Sequence, residues 1–306
     1  MMNTNLYPDD PTDILRSVLQ LEDHGLDDSG FRRFTGDTPP QARGRVFGGQ
    51  VLAQSLLAAS MTIDDDRLLH SMHSYFIRPG DAKEPIDFVV ESPRDGRSFS
   101  VRRVQAWQHG KVILSLTCSF QQPSPGLEHQ VPMPEGLPGP EDLPTAADLL
   151  GHLDVPVAQE FARARPFDVR HVYPAIYLRP DEQKRPENIA WMKTFTPITF
   201  DGPFSSANAQ AAALAYASDY TLLEPILRQH GVAWAKRDLS VASLDHSMWF
   251  HRPVAVDEWL LYVQESPSAQ SARGLGLGRI YTRDGILVAT VGQEGMVRLP
   301  EFAEQN

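Results

Sequence analysis

Asp219 closes an alanine-rich run, Gln210 to Asp219 (QAAALAYASD). Alanine is the strongest helix former and carries no bulky side chain, so the run predicts a buried helix that other structure can wrap closely. A carboxylate in the last turn of such a helix opposes the macrodipole, which favours cations there. The acid is then either stabilised from elsewhere or held at a cost. A plainer reading is that it caps a following helix, since Tyr220 to Leu227 reads as a short helical segment. Both readings stay open at this level.

Other residues invite chemistry and lose it on spacing. His70 and His73 suggest a metal pair, but three residues apart on a strand they point to opposite faces, and His246 and His251 fail in the same way. Asp245-His246-Ser247 imitates a hydrolase triad on paper. Neighbours on one strand cannot form the nucleophile, base and orienter geometry, and no GxSxG elbow occurs. Gly48-Gly49 precedes the amphipathic run GQVLAQSLLAAS, where close backbone approach at a helix N-terminus could receive an oxyanion or phosphate; a plain turn is the competing reading. Trp249, Phe250, Trp259 and Tyr262 read as core or interface.

The elements that must position these residues follow from the patterning. Asp10-Pro11 opens a helix with an apolar stripe of Ile14, Leu15, Val18, Leu19 and Leu21. After the glycine pair and its helix, strand character recurs at Leu69 to Ile77, Pro85 to Glu91, Ser98 to Gln108 and Val112 to Phe120, separated by turn signals such as Arg94-Asp95-Gly96 and His109-Gly110. Pro123 to Pro144 then holds seven prolines in 22 residues, which neither helix nor interior strand tolerates, and predicts a surface linker. Beyond it, strands are expected at Asp168 to Tyr173, Ala190 to Phe200, Ser240 to Phe250, Trp259 to Glu265, Gly274 to Tyr281 and Ile286 to Gly292.

The two halves are related. An offset of 174 places Phe76, Arg78, Pro79, Glu91, Ser92 and Pro93 on Phe250, Arg252, Pro253, Glu265, Ser266 and Pro267, and one inserted residue later Gly110 meets Gly285. At an offset of 158, Ala53, Leu56, Ala59 and Ser60 fall on Ala211, Leu214, Ala217 and Ser218. One helix-plus-sheet unit has been duplicated, and two such units would pair as a pseudo-dimer, each burying its helix against its own sheet. The expected division is 1–122 for the first unit with its leading helix, 123–165 for the linker and 166–306 for the second unit. Asp219 corresponds to Met61 and Gln293 to Cys118, so the second half carries the distinctive polar side chains.

Composition bounds the setting. The lone cysteine, Cys118, excludes an intrachain disulfide and reads as an apolar strand filler. No apolar run of about 18 residues occurs, the N-terminus lacks the pattern of a signal peptide, and the C-terminus is not an SKL address, so a cytoplasmic protein is expected. A net charge of -11 disfavours nucleic acid as a partner, while Arg43, Arg45, Arg97, Arg102 and Arg103 could form a local basic patch for an anionic ligand.

The stretches VFGGQVLAQSL, LHSMHSYFIRPGD, RDGRSFSVRRV, LAYASD, LDHSMWFHRP and SARGLGLGRIYTRDGILVATVGQEG together resemble the TesB-type acyl-CoA thioesterases (thioesterase II) over about Arg43 to Arg298, apart from the linker. The resemblance implies an α+β double hot-dog, in which each long helix is wrapped by an antiparallel sheet. It implies hydrolysis of fatty acyl-CoA by water activated at Asp219, with Ser243 and Gln293 holding the water and orienting the carboxylate, and with Gly48 or Gly49 as backbone donor to the oxyanion. Many relatives carry Thr where Ser243 stands. No cofactor or metal is expected, and the chain is expected to form dimers or tetramers. Two other readings carry different expectations: a noncatalytic acyl-CoA-binding protein, in which the three polar residues would be dispensable, and an acyl-thioester hydratase, which would want a histidine near Asn208-Ala209-Gln210, where none stands.

Overall fold

A computed structural model describes residues 7–64, 66–200 and 205–305. In chain order the elements are α1 (Thr12–Val18), β1 (Leu21–Leu26), β2 (Arg32–Gly36), α2 (Gly48–Ser60), β3 (Leu68–Phe76), β4 (Ile86–Asp95), β5 (Phe99–Gln108) and β6 (Lys111–Gln121). The linker region holds α3 (Ala146–Leu150) and α4 (Pro156–Arg163). The second half follows with β7 (Phe167–His171), β8 (Glu187–Thr194), α5 (Ser206–Ser218), α6 (Glu224–Gln229), β9 (Ser240–Ser243), β10 (Asp245–Phe250), β11 (Leu260–Gln270), β12 (Arg273–Thr282) and β13 (Leu287–Arg298). No helix among the described residues is long and apolar enough to cross a membrane.

The strands form one antiparallel sheet in the order β1-β2-β4-β5-β6-β3-β10-β13-β12-β11-β8-β7, with β9 added to β13. The order is palindromic about the β3–β10 junction, and the register locates the pseudo-twofold axis. His73 pairs with Ser247, a pair 174 residues apart, while Ser74 pairs with His246 and Met72 with Met248, which exchange under the same offset. The repeated Glu-Ser-Pro clusters are also explained: β4 shifts register between Glu91 and Arg94, and β11 between Glu265 and Ser268. A bulge is where a strand tolerates proline, which has no N–H for the ladder. Likewise the amides of Ile77 and Arg78 donate to the Ile113 carbonyl, and those of His251 and Arg252 to Val288, its equivalent. The chain is a double hot-dog.

Each half wraps its sheet around a helix, but the two helices share a core. The N-terminus of α2 abuts the C-terminus of α5, and one apolar cluster runs from Leu52 and Leu56 of α2 through Ala212 and Leu214 of α5 to Met248 and Val291 in the second half of the sheet. Small side chains on α5 let the backbones approach closely, as the alanine run anticipates.

Several expectations need correction. β1 and β2, the counterparts of β7 and β8, were not among the expected strands: Glu22, Asp23 and His24 of β1 are exposed and a register shift at Asp23/Gly25 interrupts it, while β2 is only five residues long. Leu21 therefore belongs to β1 and not to the α1 stripe. The linker is not featureless: Thr145 and Asp148 form a capping box on α3, and Pro156 occupies the first turn of α4. The strand expected from Ala190 to Phe200 stops at Thr194, and the one expected from Ser240 to Phe250 breaks at Leu244 into β9 and β10. That break matters to the site.

Candidate active site

Asp219 is the C-terminal cap residue of α5 (φ -84°, ψ -3°), and α6 begins only at Glu224, so it does not cap that helix. Its carboxylate instead faces the N-terminus of α2, which has no side-chain cap of its own. The Gly49 amide stabilises the charge there. The unfavourable end of one helix is thus offset by the favourable end of another, where orphan N–H groups attract an anion.

Two side chains converge on the same carboxylate. Gln293 Nε2 donates to Asp219 Oδ1 at 2.9 Å and lies 2.5 Å from Ser243 Oγ, and Ser243 Oγ donates to Asp219 Oδ1 at 3.3 Å. Asp219 and Ser243 are half-buried in the wall of a cleft of about 790 Å³, while Gln293 is buried behind them on β13. Burial pushes the Asp219 carboxyl from its ordinary 3.8 up to about 6, against the opposing pull of Gln293, the Gly49 amide and Ser243. The result is a carboxylate that is ionised at neutral pH, is more basic than an exposed one, and opens on a cavity.

The glycine pair divides its labour. A Cβ on Gly48 would lie 2.6 Å from Asp219 Oδ2, and one on Gly49 would lie 2.3 Å from the Tyr216 carbonyl oxygen. The close approach therefore requires glycine at both positions. The Gly49 amide serves the carboxylate, and Gly48 lines the cleft.

Residues 168–296 match the family profile described as acyl-CoA thioesterase, and residues 34–121 match that of the acyl-CoA thioesterase N-terminal domain. Acyl-CoA thioesterase 2 of Haemophilus influenzae is 39% identical over 296 residues, spanning 95% of this chain and 100% of its own. The chain belongs to the acyl-CoA thioesterase family. Human acyl-coenzyme A thioesterase 8 is 38% identical, across 97% of this chain and 94% of its own length. Among solved structures, the acyl-CoA thioesterase II TesB2 of Mycobacterium marinum superposes with a TM-score of 0.74 at 41% identity, covering 94% of this chain and 98% of that one.

The remaining candidates of this thioesterase-family chain separate cleanly. Arg43 and Arg45 line the cleft and are exposed, joined there by Arg78 and Arg165. The other arginines expected in a basic patch do not join them. Arg102 is buried against Thr62 and Asp95, and Arg103 pairs with Glu91 on the sheet surface. Cys118 is buried in β6, and burial pushes its thiol far above the ordinary range, as suits a packing residue. His70 and His73 bind Ser119 and Ser247 separately, and no group of three metal-ligating side chains occurs among the described residues.

Sequence reasoning passed over three contributors. Phe161 and Arg165 bring the linker into the cleft wall, with the Arg165 guanidinium 3.7 Å from the Phe161 ring centre and 4.5 Å from that of Tyr220. His246 was set aside with its strand neighbours, yet it is buried against Gln293. Three residues apart on an unbroken strand, Ser243 and His246 would face opposite ways. The break at Leu244, whose carbonyl accepts from the Phe76 amide, turns both toward Gln293.

Proposed function

We propose that the chain hydrolyses acyl-CoA thioesters to a carboxylic acid and CoA, with Asp219 as general base. The observation that carries the reading is the convergence of Gln293 and Ser243 on one oxygen of a carboxylate whose pKa burial raises to about 6 in the wall of a cleft. A thioester is already a good acyl donor, so the protein has to supply a positioned water, a base for its proton and a donor for the developing oxyanion.

Water held between Asp219 and Ser243 attacks the carbonyl carbon as Asp219 takes its proton. The Gly48 amide at the α2 N-terminus stabilises the oxyanion, and collapse of the tetrahedral adduct expels the CoA thiolate, which receives the proton from Asp219. Gln293 holds the carboxylate with one oxygen occupied and the other toward the reacting water. The exposed Arg43, Arg45 and Arg78 suit the phosphates of CoA, and the apolar stretch of the cleft around Val51, Phe76, Leu223 and Trp234 suits a fatty acyl chain.

The test is thiol release from acyl-CoA esters of graded length by the wild type and Asp219→Asn. Loss of a positioned base costs on the order of 10²- to 10⁴-fold in kcat. Equal rates in the two proteins would remove Asp219 as base, and binding without turnover in the wild type would favour a noncatalytic acyl-CoA-binding role. Assembly into dimers or tetramers belongs to the same proposal, supported by the exposed Tyr75 and Trp249 on the outer face at the β3–β10 junction. Sedimentation as a monomer at micromolar concentration would reject it.

A further inference from the structure

We propose that His246 is the positioning residue that keeps the Gln293 amide nitrogen turned toward Asp219 and Ser243. The inference rests on the reading of Asp219 as base. An ionised carboxylate only accepts hydrogen bonds, so Gln293 must present Nε2 to Asp219 Oδ1, and its Oε1 must then face the other way. That oxygen lies 2.8 Å from His246 Nδ1. Nδ1 therefore carries the proton, and the bare Nε2 of the neutral ring faces Ser218 Oγ at 2.9 Å, a hydroxyl that also lies 2.9 Å from the Ala215 carbonyl it can donate to. The donor directions form one chain, from His246 through Gln293 to Asp219. A Gln293 flipped about its last torsion would set its oxygen against the carboxylate and its nitrogen against the Nδ1 proton. Asp219 opposes that flip at one end of the amide and His246 at the other.

The pseudo-twofold supplies an independent observation. His246 on β10 stands beside Gln293 on β13, one step beyond the Ser247–Gly292 pair. The equivalent neighbours on β3 and β6 are Met72 and Cys118, a directly paired and wholly apolar couple. Ser218 has an unchanged equivalent in Ser60, and each hydroxyl reaches a carbonyl of its own helix, Ala215 for Ser218 and Leu56 for Ser60. A serine at this helix position is therefore compatible with either half, whereas the histidine accompanies the glutamine. A core-filling role alone is met by methionine in the first half.

The experiment compares His246→Asn with His246→Leu, two side chains of nearly the same size that share whatever cavity is created. Asparagine can return an N–H donor to the position of Nδ1, and leucine cannot. The leucine variant is expected to lose at least tenfold more kcat than the asparagine variant at similar KM. Its pH–rate inflection should also move above that of the wild type, because Asp219 loses the Gln293 bond that holds its pKa down. Equal kcat and equal pH profiles in the two variants would overturn the inference. If leucine does not fold, His246→Met takes its place, since methionine fills the equivalent position in the first half; a merely structural role predicts equal kcat and pH inflection in the asparagine and methionine variants, and loss of the donor predicts a slower methionine variant with a raised inflection. Asp219→Asn is assayed alongside. Full activity there would sink the general-base reading itself, whereas an inactive Asp219→Asn beside two equivalent His246 variants would sink only this one.

Discussion

Asp219 binds its proton more tightly in the folded chain than in the unfolded one, with a pKa near 6 against an ordinary 3.8. For an acid with a raised pKa the sign runs against the usual salt-bridged case: stability is fullest below the unfolded value and is lost as pH rises from about 4 to about 6. At roughly 1.4 kcal/mol per unit the ceiling on that cost is about 3 kcal/mol, and partial exposure to the cleft lowers it. Two outcomes follow from the one group. kcat/KM should climb about tenfold per pH unit below an inflection near 6 and level off above it, with the inflection raised in Ser243→Ala, which loses a hydrogen bond to the carboxylate. Denaturant melts should also show the stability of Asp219→Asn gaining on the wild type between pH 4 and 6.5 and holding steady above. A gap independent of pH would mean that the carboxylate is not held against its solvation.

The elements bring Asp219 to its partners by close approach and by a break. At the α2–α5 contact, Gly49→Ala would set a Cβ 2.3 Å from the Tyr216 carbonyl oxygen and 2.6 Å from the Phe47 ring. Backbone cannot swing aside as a flexible side chain can, so α2 must shift. Overpacking of this kind costs about 1–3 kcal/mol, and the shift also draws the Gly49 amide from Asp219. Thermal unfolding and kcat should fall together, while an alanine at Gly126, which has open space around the added methyl, should change neither. On the opposite wall, the interruption at Leu244 between β9 and β10 gives Ser243 and His246 a common direction that an unbroken strand would deny them. The linker contributes as well, since α4 sets Phe161 against the cleft and leads into Arg165.

Across the whole molecule, duplication gives two hot-dogs and one candidate site. Under the internal symmetry, Asp219, Ser243, His246 and Gln293 correspond to Met61, Leu69, Met72 and Cys118, so the first half has lost every side chain of the polar array. What it supplies is the N-terminus of α2, which stabilises the carboxylate of the second half. The site is therefore assembled across the duplication, and neither half contains it alone. Isothermal titration of the Asp219→Asn protein with an acyl-CoA ester should give one ligand per chain, and a stoichiometry of two would show that the apolar counterpart also binds.

Much of this was legible in the residues. The offsets of 158 and 174 relate the halves because repeated backbone needs, such as the proline bulges at Pro93 and Pro267, keep repeated residues. The alanine run marks a helix that must be approached closely, and an acid at its end is conspicuous because the macrodipole disfavours it there. β1 was not legible, since a charged, exposed edge strand carries no period-two signal, and β2 is only five residues long, too short to show one. The role of His246 was not legible either, because strand alternation holds only along an uninterrupted strand and the break at Leu244 is set by its bonds to Phe76 and Glu294, far away in the chain. Helix, duplication and the identity of the acid belong to local pattern, which short-range sterics and burial write into the sequence. The stabilising partner of that acid, the direction of the hydrogen bonds behind it and the linker's place in the cleft were decided only when the chain closed, because each depends on groups brought together from distant segments.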